Sequence, residues 1–325
     1  MSALALAARS EAWPIRGNFR ISRGAKTEAV VVVVEVSDGA HRGRGECVPY
    51  ARYGESVASV LTQIEGMRGA LVDRQALQEQ MPAGAARNAL DCALWDLEAK
   101  RRGERAWTIA GLPPPAPFVT AYTLSLDEPD RMAEAARASA DRPLLKLKLG
   151  GDGDVERVRA VRAAAPRARL IVDANEAWRP EQVEPFGRAM AALGVELIEQ
   201  PLPASDDGAL AGAARPTPIC ADESCHDRDG LAALVGRYDC VNVKLDKTGG
   251  LTEALALMRE AERLGLETMV GCMVGTSLSM APAVLLASRA AFVDLDGPLL
   301  LARDREPALR YEGSVIRPPE PDLWG

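Results

Sequence analysis

Aromatic residues are scarce in this chain, 4% of 325 residues, so a core has to be built mainly from Ala, Leu and Val. Only two histidines occur, His41 and His226, which leaves little scope for a histidine-based catalytic triad. There is no excess of basic charge: the formal net charge is −7, with no basic run and no basic–aromatic interleaving. That balance argues against nucleic acid as a partner. No apolar run is long enough to span a bilayer, since the valine-rich stretch at 29–34 is bracketed by Glu28 and Glu35. The opening MSALALAARSEAW is too short an apolar stretch for a signal peptide and carries Glu11 close behind. The six cysteines (Cys47, Cys92, Cys220, Cys225, Cys240, Cys272) are scattered, most of them in apolar runs. They read as free thiols in a reducing compartment, so a cytoplasmic protein, not bound to membranes, is expected.

What is present is a series of charged motifs on short, apolar, β-branched runs. LLKLKL, RLIVDAN, ELIEQP, PICADES and CVNVKL carry Lys146/Lys148, Asp173, Glu199, Asp222 and Lys244. Successive charges (148, 173, 199, 222, 244) lie 22 to 26 residues apart, with Ala/Arg/Glu-rich stretches of helical spacing between them. This is the pattern of βα units that each present a charge where the strand ends. In a (β/α)8 barrel those ends converge on one mouth, where active sites sit. With VTAYTL before the series and ETMVGC and FVDLDG after it, eight strand candidates follow the linker GLPPPAP at 111–117. Consecutive prolines there permit neither helix nor central strand.

The expected architecture is therefore α/β: a modified (β/α)8 barrel over residues 116–301, with an N-terminal α+β capping domain over 1–115. The Pro-rich tail 302–325 is expected to return to the cap. Within the cap, AVVVVVEV reads as a buried strand, GRGECVPYARYG (43–54) as a loop, and 55–79 as helical. Residues 88–98 place Ala89, Leu90, Ala93, Leu94 and Leu97 on one helix face.

Asp173, Glu199 and Asp222 on consecutive strand ends form a hard-oxygen set that suits Mg2+. A single strand-end Asp is more simply a helix cap; three in register are not. Lys146 and Lys148 are two apart and share a face. Leu145, Leu147 and Leu149 occupy the alternate positions facing the helices, so the lysines point into the mouth. Lys244 is in the same phase on the opposite side of the barrel. One lysine would approach a metal-held substrate from each face, with its pKa depressed by the crowding of positive charge. Asp294 and Asp296 end the eighth strand on one face; a substrate cation is their natural partner, a turn cap the plainer one. GCMVGTS (271–277) would line the substrate. Cys220, Cys225 and His226 do not make a zinc site, because Asp222 and Glu223 fall inside the spacing and no second pair exists.

These residues resemble the enolase superfamily, and within it the muconate-lactonising subgroup. The resemblance covers essentially the whole chain: K-x-K on the second strand, Asp, Glu and Asp on the third to fifth, Lys on the sixth. ECVPYARYGES, NVKLDKTGGLTEA, GCMVGTS and the DLDG strand end are similar to the dipeptide epimerase family. The resemblance implies one Mg2+ per subunit on Asp173, Glu199 and Asp222. It implies Lys148 and Lys244 as the two proton-transfer groups at an α-carbon, with Lys146 stabilising the enediolate or tuning Lys148. Asp294 and Asp296 would bind the α-ammonium of a dipeptide such as L-Ala-D/L-Glu. Tyr53, Cys272, Met273 and Gly275 would contact substrate, with the 47–53 loop closing over it. A homo-oligomer is expected. The alternatives on the same fold are N-acylamino acid racemase or o-succinylbenzoate synthase, and a cycloisomerase. A non-catalytic peptide or metal binder leaves the opposed lysines unexplained.

Overall fold

The computed structural model describes residues 4–325. The cap begins with a three-stranded antiparallel sheet of β1 (Ala5–Ile21), β2 (Gly24–Ser37) and β3 (Arg42–Cys47). The valine run of β2 is buried on both faces. Val31 and Val33 join the large core shared with the barrel, while Val32, Val34 and Val36 face the cap helices α1 (Val57–Glu65), α2 (Arg74–Gln80) and α3 (Ala85–Arg102). Two-sided burial is why the run is continuous rather than alternating. The helices around residues 55–79 are two, not one. Ser56 caps α1 by accepting from Ser59 N, and Asp73 caps α2 by accepting from Ala76 N.

The stretch expected to be a loop at 43–54 is a strand up to Cys47. Its glycines serve close approach rather than a turn. A Cβ on Gly43 would lie 2.1 Å from Ala93 O, and one on Gly45 2.1 Å from Ala89 O, so α3 rests directly on β3. Helix α3 is buried well beyond the expected stripe, because it is sandwiched between this sheet and the barrel.

After β4 (Phe118–Val119) come the eight barrel strands. They are β5 (Tyr122–Leu124), β6 (Leu144–Lys148), β7 (Arg169–Asp173), β8 (Val195–Glu199), β9 (Ile219–Ala221), β10 (Cys240–Val243), β11 (Glu267–Val270) and β12 (Phe292–Val293). All pair in parallel in chain order, and Ala121 N donates to Val293 O at 2.8 Å where the first strand meets the last. Each of the eight expected runs holds one barrel strand, and the first also takes in the end of β4.

The tail divides its contacts. β13 (Tyr311–Glu312) pairs with β14 (Val315–Ile316), which pairs with β4 ahead of the barrel, and Leu323–Gly325 pack on α3 of the cap. Trp324 is fully buried, and its indole donates to Cys92 O at 2.9 Å. No described helix is long and apolar enough to cross a membrane.

Trp324→Ala should cost about 3–5 kcal/mol, the range for emptying a buried aromatic site, and lower the thermal midpoint in scanning calorimetry. A shift of under a degree would mean that the tail does not hold the cap.

Candidate active site

The strand period of two sorts the barrel interior into tiers. Ala121, Leu144, Ile171, Leu197, Cys220, Cys240, Met269 and Phe292 form one buried apolar cluster, with one residue from each strand or, for Ala121, just ahead of it. Two residues further along each strand, the inward positions become Thr123, Lys146, Asp173, Glu199, Asp222, Asn242, Gly271 and Asp294. A polar tier thus stands on an apolar floor at the C-terminal mouth.

Asp173, Glu199 and Asp222 are buried and present carboxylate oxygens all within 4.8 Å of one another. Cations are threaded between them. Lys146 Nζ lies 2.6 Å from Glu199 Oε2, 2.7 Å from Asp294 Oδ2 and 3.4 Å from Asp173 Oδ2. Lys148 Nζ is 2.5 Å from Asp173 Oδ2, and Lys244 Nζ is 2.7 Å from Asp222 Oδ2. Two partners were not foreseen. Asn242 Nδ2 donates to Glu199 Oε1 at 2.7 Å. Lys247 donates to Asp222 Oδ1 at 2.6 Å, to its carbonyl at 2.5 Å and to Asn242 O at 3.0 Å. Asn242 was readable, being in phase with Lys244. Lys247 sits on the short helix after the strand, where strand alternation says nothing. Gly271 makes room for Asn242, since a Cβ there would lie 2.5 Å from its Oδ1.

Burial favours the neutral form of all three carboxyls, and the neighbours decide the outcome. At Asp173, Lys148 and Lys146 outweigh burial and hold the group at about 2. At Asp222, Lys244 and Lys247 hold it well below the ordinary range. At Glu199, burial and Asp173 together raise it. Burial also opposes the charge on Lys146 and Lys244. There Asp294 and Glu199, and Asp222 and Glu199 respectively, prevail and push both ammoniums well above their usual value. The expectation of a depressed lysine concerns a site with a cation in it; among the side chains themselves the dominant neighbours of Lys146 and Lys244 are carboxylates. Three buried carboxylates converging from adjacent strands fit a hard divalent cation such as Mg2+, which prefers oxygen donors.

A cavity of about 670 Å³ opens above this tier, and Lys148, Lys244, Asp222, Asn175, Glu223, Tyr53, Cys272 and Met273 form part of its wall. Asp294, Asp296, Lys146 and Gly275 lie outside the wall. Gly275 is packed under the cap: a Cβ would meet Ser279 Oγ at 2.7 Å and Glu46 Oε1 at 3.2 Å. Asp294 leaves Oδ1 buried without a hydrogen-bond partner. Asp296 accepts from Thr123 N at 2.6 Å, and burial together with Asp294 pushes its carboxyl up to about 7. The cap reaches the mouth twice. The 48–53 loop brings Tyr53, whose ring stands edge-on to His226 with centroids 4.8 Å apart. The β1–β2 hairpin brings Phe19, Ile21, Arg23 and Lys26, none of them anticipated. A register shift between Pro14 and Phe19, with Gly17 at φ 69°, marks the base of that hairpin.

Residues 3–111 match the N-terminal domain of mandelate racemase and muconate lactonizing enzyme, and residues 131–321 match the enolase C-terminal domain-like family. An L-Ala-D/L-Glu epimerase of Escherichia coli K12 is 51% identical over 306 residues, 93% of this chain and 95% of that protein. An N-acetyl-D-glutamate racemase of Pseudoalteromonas is 46% identical over 303 residues, covering 91% and 95%. Among solved structures, an enolase family member of Agrobacterium tumefaciens with homology to dipeptide epimerases, bound to sodium and L-Ala-L-Glu, is 56% identical. Its TM-score is 0.97 over 99% of this chain and 100% of that one. A dipeptide epimerase of Enterococcus faecalis in complex with Mg and L-Leu-L-Tyr is 29% identical, with a TM-score of 0.91 over 98% of each chain.

Asn242→Ala frees Glu199 from its side-chain donor. It should weaken Mg2+ binding about 10–100-fold, as loss of a ligand's hydrogen-bond partner does, and Asp222→Asn should weaken it further. Titration calorimetry on chelator-stripped protein reads both. Undiminished affinity in Asp222→Asn would remove that residue from the ligand set.

Proposed function

The chain belongs to the mandelate racemase and muconate lactonizing enzyme group of the enolase superfamily, and from that premise we propose that it is a Mg2+-dependent dipeptide epimerase acting on L-Ala-D/L-Glu. It is an isomerase that inverts the α-carbon of the C-terminal residue by moving one proton off and another on. The observation that carries this reading is the pair Lys148 and Lys244 on the wall of one cavity, arriving on β6 and at the end of β10 with the carboxylate triad between them.

A metal on Asp173, Glu199 and Asp222 supplies positive charge to the substrate carboxylate, making the neighbouring α-proton more acidic. The chain's own groups do the rest. Inversion needs one lysine neutral, to take the α-proton, and the other charged, to return one to the far face. Asp222 holds Lys244 within reach, at 2.7 Å from Oδ2. Lys146 is too enclosed to meet the α-carbon. Its ammonium fixes Glu199 and Asp294 and adds a permanent charge beneath the reacting centre. The cap loops exclude water from the cavity, which strengthens each of these interactions.

Asp294 and Asp296 supply the α-ammonium site. What supports this is that Asp294 Oδ1 is a buried acceptor with no donor among the described residues, although Oδ2 is held by Lys146 and the pair lies just behind the cavity wall. An ammonium between them satisfies both. Lys26 on the cavity wall suits an acidic side chain on the second residue. The six free cysteines suit a reducing cytoplasm, and the L-Ala-D-Glu order suits turnover of cell-wall peptides. Racemisation of an N-acylated amino acid is the competing reading, favoured by the 46% identical N-acetyl-D-glutamate racemase.

Two experiments bear on this. Lys148→Ala and Lys244→Ala should each abolish epimerisation in both directions, while each can still exchange with D2O the α-proton of the one enantiomer its remaining lysine reaches. Near wild-type epimerisation by either variant would remove that lysine from the mechanism. The second is kcat/KM for free and N-acetylated L-Ala-L-Glu. Free dipeptide should be preferred, and Asp294→Asn/Asp296→Asn should lower its turnover about tenfold or more, from charge-assisted bonds of roughly 1.5–3 kcal/mol each before solvent screening. A wild-type preference for the acetylated form would replace the dipeptide reading with the N-acyl one.

A further inference from the structure

One carboxylate outside the catalytic tier gathers contacts from both projecting parts of the cap. Glu176 stands three residues past Asp173, on the turn leaving β7. Arg52 grips it with two prongs, Nε to Oε2 at 2.8 Å and Nη2 to Oε1 at 2.7 Å. Arg23 reaches Oε2 at 3.1 Å through Nη1 while its Nη2 pairs with Glu223 Oε1 at 2.6 Å, and Ala204 N donates to Glu176 Oε1 at 2.9 Å. Arg52 belongs to the 48–53 loop, and Arg23 to the two-residue turn Ser22–Arg23 of the β1–β2 hairpin. These segments are distant in sequence, and both supply wall to the cavity.

The backbone is bent to make this junction. Asn175 and Glu176 have φ of 46° and 67°, the left-handed region that a Glu rarely occupies. The bend aims the Asn175 carbonyl at the hairpin, where it accepts from Ser22 Oγ at 3.0 Å and Arg23 Nη1 at 2.9 Å. It aims the Glu176 side chain at Arg52. Glu176 is not part of the metal set and does not line the cavity. Neither metal binding nor proton transfer accounts for its charge, its two arginines or its strained backbone. Strain that persists at such a place calls for a functional reason.

We propose that Glu176 is a positioning residue for the reaction, a latch carried by the barrel that clamps the β1–β2 turn and the 48–53 loop so that they close over the substrate as one unit. The proposal rests on the cavity being the substrate site. Substrate enters only when these walls part. Two arginines on one carboxylate couple the walls, and Arg23 ties them directly through Tyr50 OH at 3.2 Å. Weakening the latch enlarges the open population, which lowers apparent affinity while leaving the closed complex as reactive as before.

Glu176→Gln keeps the size of the side chain and an acceptor for Ala204 but removes the charge. Arg23 and Arg52 are themselves trypsin sites, so substrate-free digestion read by mass spectrometry reports opening at each loop. Cleavage after both should accelerate about tenfold in Glu176→Gln, the scale of two partly exposed ion pairs, with sites outside these two segments unchanged. KM for L-Ala-L-Glu should rise by a similar factor with kcat within about twofold. Glu176→Gln/Arg52→Gln should have a KM no more than about twofold above that of the worse single variant, because the two changes break one contact. Release of only one loop, no change in cleavage, or a fall in kcat at constant KM overturns the proposal. Digestion needs no substrate, so failure of the dipeptide reading would leave its result standing.

Discussion

Everything at the mouth of this barrel depends on burying several like-charged carboxylates within one small space. Asp173, Glu199 and Asp222 stand next to Asp294 and Asp296 in a region with almost no solvent exposure. Unpaired, such charges would be prohibitively costly. The chain offsets this with ammoniums on the same tier, Lys146 fully enclosed and Lys247 behind Asp222, so that oppositely charged groups alternate. Two of the four lysines, Lys146 and Lys247, are enclosed away from the cavity wall. Lys148 and Lys244 reach the cavity wall, where the proposed reaction needs them.

The apolar floor is what allows that tier to exist. Eight residues of one cluster close the barrel beneath it and keep water out from below, which makes each ion pair above stronger. The cap then closes the top. Its own rigidity comes from β3 lying against α3 at the contact distance that Gly43 and Gly45 permit, and from Trp324 pinned on the far side. Rigid walls, a dry floor and a hinged roof are the conditions under which electrostatic stabilisation of a carbanion-like state is effective.

Relatives with closely similar folds act on differently substituted amino acids: one on a dipeptide, another on an N-acetylated glutamate. The two reactions share the chemistry at the α-carbon and differ in what is attached to the nitrogen. The elements that meet the nitrogen side and the side chain are therefore where such enzymes diverge. Under the proposed reading, those elements in this chain are the β12 carboxylates and the two cap segments.

The sequence by itself determined the barrel and the floor plan of its mouth. A period of two, read on short β-branched runs, places Lys146, Lys148, Asp173, Glu199, Asp222, Lys244 and Asp294 on inward faces, and all of them are inward in the structure. Within one strand, facing is a local property and alternation is enough. What only the tertiary structure decided are the relations between segments. Arg23, Arg52 and Glu176 meet from three places in the chain, and no periodicity links them. Lys247 reaches Asp222 from a helix outside the strand pattern. Which groups come closest to Lys146 and Lys244 likewise emerges only in the fold, and those are carboxylates. Glycine-rich β3 read as a loop because glycine marks turns locally, whereas here it marks a place where a helix presses on a strand, a fact that exists only once both are folded.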